Sequence, residues 1–118
     1  MNSQLSLPTA WLVSDGRVLA SADVASTSRA RRRGLIGVRN VDTALVLTPC
    51  RWIHTVGVKR NLDIAYLDAT NSVIKVLLVP PLRVCLPVWK ARLVIEAAAG
   101  SFERWGLKLG DVVEVRRT

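Results

Sequence analysis

The 118-residue chain has few of the residues that build metal centres, disulfides and nucleophilic active sites. Its two cysteines, Cys50 and Cys85, lie far apart and form no C-x-x-C pair, so the sequence signals neither a zinc site nor a redox motif. We expect two buried thiols, with a disulfide as the alternative. His54 is the only histidine, and the chain contains neither a G-x-S-x-G motif nor a glycine-rich phosphate loop. We therefore expect no metal site and no cofactor.

Aromatic residues make up only 5% of the chain, and long apolar runs are lacking. Because half of the residues are hydrophobic, valine, leucine, alanine and isoleucine must fill the interior, and their β-branched share favours strands. The longest apolar runs, such as VIKVLLVPPL, are too short and too interrupted to span a bilayer, so we expect no membrane insertion. The first residues, MNSQLSLPTAW, lack the basic and apolar blocks of a secretory signal. We expect a soluble, cytoplasmic protein.

Acidic residues are scarce between positions 24 and 62, where Asp42 is the only carboxylate among eight basic residues. Four of the eight form a basic patch, Arg29, Arg31, Arg32 and Arg33. Such a patch attracts phosphates or an acidic protein surface, although a solvated helix face explains the same cluster. No aromatic residue interleaves the patch and no known nucleic-acid motif accompanies it, so nucleic-acid binding is possible but not favoured.

The pattern along the chain predicts about seven short strands joined by turns. Asp15-Gly16 suits the hairpin turn between the first two apolar runs. Later strands are predicted at ALVL, which Pro49 closes, at LDIAYL, at VIKVLLV, from about Lys90 to Ala97, and at the closing VVEV.

Two short helices complete the predicted elements. The first is STSRARRRGL, capped by Ser26 or Thr27 and ended by Gly34, and the second is AAGSFERWG, ended by Gly106. The expected fold class is α+β and β-dominated, a mostly antiparallel barrel or sandwich. We expect a single domain over residues 9–118, after a flexible N-terminus of residues 1–8.

The stretch WIHTVGVKRNLDIAYLD places a histidine and a carboxylate among strand-forming apolar residues. Alternation puts Trp52, His54, Val56 and Val58 on one face, with Ile53, Thr55 and Gly57 on the other. In the following strand, alternate residues starting at Leu62 share a face, and those starting at Asp63 share the opposite face. A titratable ring inside an apolar pattern needs partners, because an unpaired buried polar group costs about 1 to 3 kcal/mol.

Candidate site residues follow from this stretch. His54 and Asp63 are the catalytic candidates, with His54 as acid or base and Asp63 as its orienting group. Ligand binding is predicted for Trp52, His54, Thr55, Asp63 and Glu96. The structural alternative is that Asp63 accepts backbone N–H groups in a turn and that His54 fills a half-buried strand position. Trp89 is expected to pack against the core.

Three blocks in order, RRRGLIG, WIHTVGVKRNLDIAYLD and VIEAAAGSFERWGLKLGDVVEV, resemble the domain of unknown function 192 family, and its actinobacterial His-Thr variant. The resemblance covers residues 9 to 116 and departs at Ile36, Val58 and Asn61. It implies a small β-rich single domain and lends no activity. The matching positions are Thr27, Arg31, Gly34, Leu35, His54, Thr55, Gly57, Asp63, Glu96, Ala99, Gly100, Gly106, Gly110 and Asp111.

Three functional hypotheses follow from these features. The first is a binding or accessory module that holds a small ligand or a partner's chain end in a polar pocket around Trp52, His54, Thr55 and Asp63. The second is a hydrolase or lyase with His54 as general base, which needs a nucleophile or activated water that the sequence does not name. The third is a nucleic-acid or acidic-protein binder that works through the basic patch. The sequence alone leaves all three open.

Overall fold

The computed structural model describes residues 7–27 and 43–118 of the chain. The four arginines of the basic patch lie outside these residues. The first predicted helix, from Ser26 or Thr27 to Gly34, also extends outside them. The described residues therefore test the predicted strands, the second helix and the candidate site around His54.

The described residues form seven strands and one short helix, in agreement with the predicted strand count and the β-dominated α+β class. The elements are β1 (Thr9–Ser14), β2 (Arg17–Ala25), β3 (Ala44–Leu47), β4 (Leu62–Leu67), β5 (Val73–Val79), β6 (Leu93–Ala98), helix α1 (Ser101–Trp105) and β7 (Glu114–Arg117). Within these residues no helix has the length and apolar composition that crossing a bilayer requires.

The seven strands make one open sheet in the order β5-β4-β6-β3-β2-β1-β7. All pairings are antiparallel except that of β2 with β3. The expected barrel or two-sheet sandwich is therefore wrong. The edge strands β5 and β7 approach each other at one corner only, where Ser72 bridges Val112 and the Val73 N–H donates to the Asp111 carbonyl at 2.8 Å.

Local signals in the sequence placed the turns and the helix ends correctly. The β1–β2 hairpin turns at Asp15 and Gly16, both of which have positive φ angles (53° and 74°) as a type I′ turn requires. Helix α1 begins after Gly100 and ends at Gly106, and both glycines are left-handed. Glycine tolerates that conformation because it has no Cβ atom.

Alternation along the strands divides the core into two clusters on opposite faces of the sheet. Ala65 and Leu67 of β4 belong to the first cluster, together with Phe102 of α1. Ile64 and Tyr66 of β4 belong to the second cluster. The predicted division of β4 into two faces is confirmed. The full membership of the second cluster is Ala25, Leu45, Leu47, Ile53, Val58, Leu62, Ile64, Tyr66, Val79, Ala91 and Val94.

Candidate functional site

The Trp52–Val58 region and the loop after β5 come together as a short antiparallel ribbon, which we define as residues 51–56 and 82–88. Four backbone bonds hold it: Thr55 N–H to Arg83 O at 2.8 Å, Leu82 N–H to Thr55 O at 3.2 Å, Cys85 N–H to Ile53 O at 3.1 Å, and Val88 N–H to Arg51 O at 2.8 Å. His54 bridges Val84 at its centre. The ribbon thus joins two segments about 30 residues apart along the chain.

The inner side of the ribbon packs on the second core cluster. Ile53 is a buried member of that cluster, while Cys85 and Val88 are partly buried against it. Cys50 and Cys85 are half-buried rather than fully buried, and no disulfide joins them. The two thiols were expected to be buried, and the expectation of full burial is wrong.

The outer side of the ribbon is apolar and faces solvent. Trp52, His54 and Val56 lie together, as the alternation predicts, and the partner segment adds Leu82, Val84 and Leu86. Val58, which was predicted on the same face, is instead buried in the second core cluster, because the chain turns at Gly57, whose φ angle is 92°. Their exposed fractions are 48% for Trp52 and Val56, 71% for Leu82 and Val84, and 81% for Leu86. We call this set the outer face: Trp52, His54, Val56, Leu82, Val84 and Leu86. Trp89, just beyond the ribbon, is 74% exposed, so the expectation that it packs is wrong.

His54 lies in the middle of the outer face and is half-buried. Its ring centroid is 5.9 Å from that of Trp52, with the two planes tilted by 44°. The His54 Nδ1 atom is buried and meets no hydrogen-bond partner among residues 7–27 and 43–118. An unmet buried polar atom costs free energy, so this position of the His54 ring is unfavourable for folding.

The segments that form the ribbon and its neighbouring loops carry positive charge without any carboxylate. Residues 49–62 and 80–92 contain no aspartate or glutamate. Their basic residues are all exposed and are Arg51, Lys59, Arg60, Arg83, Lys90 and Arg92. The outer face is therefore apolar at its centre and flanked by a positive field.

Thr55 is fully buried and holds the ribbon to the end of β5. Its Oγ1 atom donates to the Pro80 carbonyl at 2.7 Å and accepts from the Arg83 N–H at 2.9 Å. The Thr55 carbonyl also accepts from Leu82 and Val58. The Thr55 hydroxyl therefore stabilises the fold. It lies on the side of the ribbon opposite to Trp52 and His54.

Asp63 lies on the other face of the sheet and caps helix α1. Its Oδ2 atom accepts from the N–H groups of Gly100 and Phe102, both at 3.0 Å. Asp63 therefore accepts backbone N–H groups, as the structural alternative predicts, although these groups lie at the start of a helix and not in a turn. His54 belongs to a ribbon that packs over the opposite face, so the structure does not bring the two catalytic candidates together.

Replacing Asp63 with alanine is expected to destabilise the protein by about 1 kcal/mol, because the first N–H groups of α1 lose their acceptor. Denaturant unfolding followed by tryptophan fluorescence measures this change. Asp63→Asn is the matched control, since its amide oxygen still accepts and should restore most of the loss. Equal stability of wild type and Asp63→Ala would show that the cap contributes nothing.

Glu96 lies beneath the ribbon rather than on the outer face. It is 3% exposed in β6, and burial raises the pKa of its carboxyl to about 7. No hydrogen bond from the described residues reaches this carboxyl. Nearby, burial raises the pKa of the Tyr66 hydroxyl, which lies in the same buried layer beside Cys85. Among residues 7–27 and 43–118, no three histidine, cysteine or acidic side chains gather as metal ligands do.

The structure thus separates the five predicted ligand-binding residues. Trp52 and His54 share the outer face, Thr55 and Glu96 lie under the ribbon, and Asp63 caps the helix. Sequence reasoning missed Leu82, Val84 and Leu86. Their signal was present, because LRVCLPV repeats an apolar residue at every second position, as WIHTV does.

These features define a class of small single-sheet domain in which one core face is covered by a ribbon with an apolar outer side. The DUF192 family model, described as an uncharacterised ACR, matches residues 10–115. The chain therefore belongs to the domain of unknown function 192 family, which confirms the resemblance at family level.

Two crystal structures share the fold. A protein of unknown function from Novosphingobium aromaticivorans DSM 12444 matches with a TM-score of 0.75 and 20% identity, over 97% of this chain and 90% of that one. A protein from Sinorhizobium meliloti 1021, described as a candidate transcription regulator, matches with a TM-score of 0.79 and 18% identity, over 96% and 98%. No match is found among curated proteins.

Proposed function

We propose that this protein is a binding module whose outer face takes up an acidic and apolar segment of a partner protein. The observation that carries the proposal is the exposure of Leu82, Val84 and Leu86, which leaves more than two-thirds of each side chain in water. Large apolar side chains that are exposed together mark interaction sites, because contact with a partner removes their surface from water.

The charge around the outer face supports an acidic partner. Arg51 and Arg83 belong to the ribbon itself, and no carboxylate occurs in the segments around it. An acidic segment is attracted by this field, and its apolar side chains then pack on Trp52 and Val84. Tryptophan is also among the residues that contribute most to binding at protein interfaces.

This proposal narrows the first hypothesis and keeps two of its residues, Trp52 and His54. The polar pocket is not retained, because Thr55 and Asp63 hold the ribbon and the helix. The enzymatic hypothesis also loses support, since the described residues bring no carboxylate to His54. The nucleic-acid hypothesis is not favoured for this face, because an apolar surface suits a protein chain better than phosphates.

Selection from a displayed peptide library tests the proposal. Wild-type protein is expected to enrich peptides that combine aspartate or glutamate with leucine, valine or aromatic residues. The double variant Val84→Ser/Leu86→Ser should bind an enriched peptide at least about tenfold more weakly, since two apolar anchors are lost. The matched control is Val18→Ser/Leu109→Ser, whose sites are 56% and 64% exposed outside the ribbon.

Several results would overturn the proposal. One is that the library yields no acidic and apolar peptides; another is that both double variants bind an enriched peptide equally well. Sedimentation of the protein alone tests whether a second copy of this chain binds the outer face. If the wild type dimerises and Val84→Ser/Leu86→Ser is monomeric, a second copy of this chain occupies the outer face in place of a different partner.

A further inference from the structure

A buried carboxyl lies directly beneath the ribbon. Glu96 is in the middle of β6, where Leu45 of β3 and Ile64 of β4 are its partners on either side. Both partners belong to the second core cluster, so the Glu96 side chain shares that face. The inner side of the ribbon covers this face through Ile53 and Cys85. An acid is thus enclosed between the sheet and the ribbon.

Among the described residues, the titratable groups around Glu96 include no buried cation. From β4 comes Tyr66, whose hydroxyl is buried beside the Cys85 thiol. From the ribbon comes Cys85, and the charge of Glu96 helps to raise the pKa of its thiol, after burial as the larger cause. Cys50 lies at the start of the ribbon segment, and Lys75 of β5 is exposed. Burial therefore penalises the charged form of Glu96, and no hydrogen bond from the described residues offsets that penalty.

In the described part of the chain, this carboxyl lies between the sheet and the ribbon. Glu96 is hydrogen-bonded through its backbone into the centre of the sheet, between β3 and β4. Hydrating it from the sheet side would break those strand pairings. The ribbon is held by fewer bonds, chiefly four backbone bonds and the Thr55 hydroxyl. Lifting the ribbon is therefore the less costly way to let water reach the charge.

We propose that ionisation of Glu96 loosens the ribbon, so that the outer face is ordered while the carboxyl is protonated and becomes labile once it is charged. The consequence for partner binding rests on the proposed function, whereas the loosening itself does not. The direction agrees with the carboxyl's pKa of about 7, which places the change close to neutral pH. Binding to the outer face should accordingly weaken as the pH rises from 6 to 8.

Amide hydrogen exchange measured by NMR at pH 6 and pH 8 tests the loosening. The probes are the N–H groups of Thr55, Cys85 and Val88, which hold the ribbon, and Val24 N–H, which donates to Pro8, is the control. After correction for intrinsic exchange, the opening equilibrium of the ribbon amides should increase about tenfold between the two pH values, while that of Val24 stays constant. In Glu96→Gln the ribbon increase should disappear. If glutamine does not fold there, Glu96→Leu serves the same purpose.

The outcomes separate this inference from the proposed function. Equal ribbon opening at both pH values in the wild type would overturn it, whatever peptides bind. An increase that survives in Glu96→Gln but disappears in His54→Gln would assign the effect to the histidine and also overturn it. If the ribbon loosens as expected while no peptide binds at either pH, the loosening stands and the proposed function fails.

Discussion

We expect the wild type to lose about 3 kcal/mol of unfolding free energy between pH 4.5 and 8, and we expect Glu96→Gln to abolish this loss. Folding raises the pKa of this carboxyl from 4.5 to about 7, because burial penalises the charged form. Between those values the folded protein holds a proton that the unfolded chain has released. The contribution of this carboxyl to the unfolding free energy is therefore complete below pH 4.5 and is lost as the pH rises through 7.

Denaturant unfolding at pH 5 and pH 8, followed by tryptophan fluorescence, measures this difference for wild type and Glu96→Gln. The wild type should lose stability relative to the variant at pH 8, while the two curves lie closer at pH 5. Glu103→Gln, an exposed glutamate in helix α1, is the matched control and should follow the wild type. Parallel pH dependence in wild type and Glu96→Gln would show that Glu96 is hydrated in the folded protein.

Replacing Thr55 with valine is expected to destabilise the protein by about 2 kcal/mol. The two side chains have similar shapes, so packing changes little. What is lost is the hydroxyl that donates to the Pro80 carbonyl and accepts from the Arg83 N–H. Both backbone groups then remain unsatisfied where the ribbon leaves β5, and an unmet buried group costs more than a hydrogen bond contributes.

Thr55→Ser is the control, because serine keeps the hydroxyl and removes only a methyl group. Unfolding in denaturant should place it well above Thr55→Val in stability. If serine and valine destabilise equally, the methyl packing rather than the hydroxyl holds the ribbon. If valine costs nothing, the assignment of Thr55 to the fold is wrong.

Elements with short-range signals could be predicted from the sequence. The alternation in LDIAYL placed Ile64 and Tyr66 on one face, because side chains in a strand alternate whatever the sheet around them. Gly106 marked the end of helix α1, since a left-handed residue at a helix end is a local requirement. The Asp15-Gly16 hairpin was predicted for the same reason.

Features that depend on residues distant in sequence could not be predicted. The sheet was expected to close or to pair with a second sheet, yet β5 and β7 meet only around Ser72 and Val112, which strand patterns do not reveal. The pairing of His54 with Asp63 was inferred from their closeness along the chain. In the structure Asp63 contacts Gly100, nearly 40 residues away. A local pattern identifies a polar residue on a strand but not the element it faces.

The stretch around His54 therefore holds two polar residues for different reasons. Asp63 interrupts an apolar strand because the start of helix α1 lies against it and needs an acceptor. His54 lies among apolar residues because the ribbon turns that side outward, beside Trp52 and Val84. The first belongs to the fold, and the second belongs to the surface that we assign to partner binding.

The most direct measurement is methyl NMR of the wild-type protein with and without a library-selected acidic and apolar peptide. Binding at the outer face predicts shifts of the Leu82, Val84 and Leu86 methyl signals, while those of Val18 and Leu109 stay in place. Shifts confined to Val18, Leu109 or other methyl groups away from the ribbon would contradict the central claim, since binding would then occur on another surface.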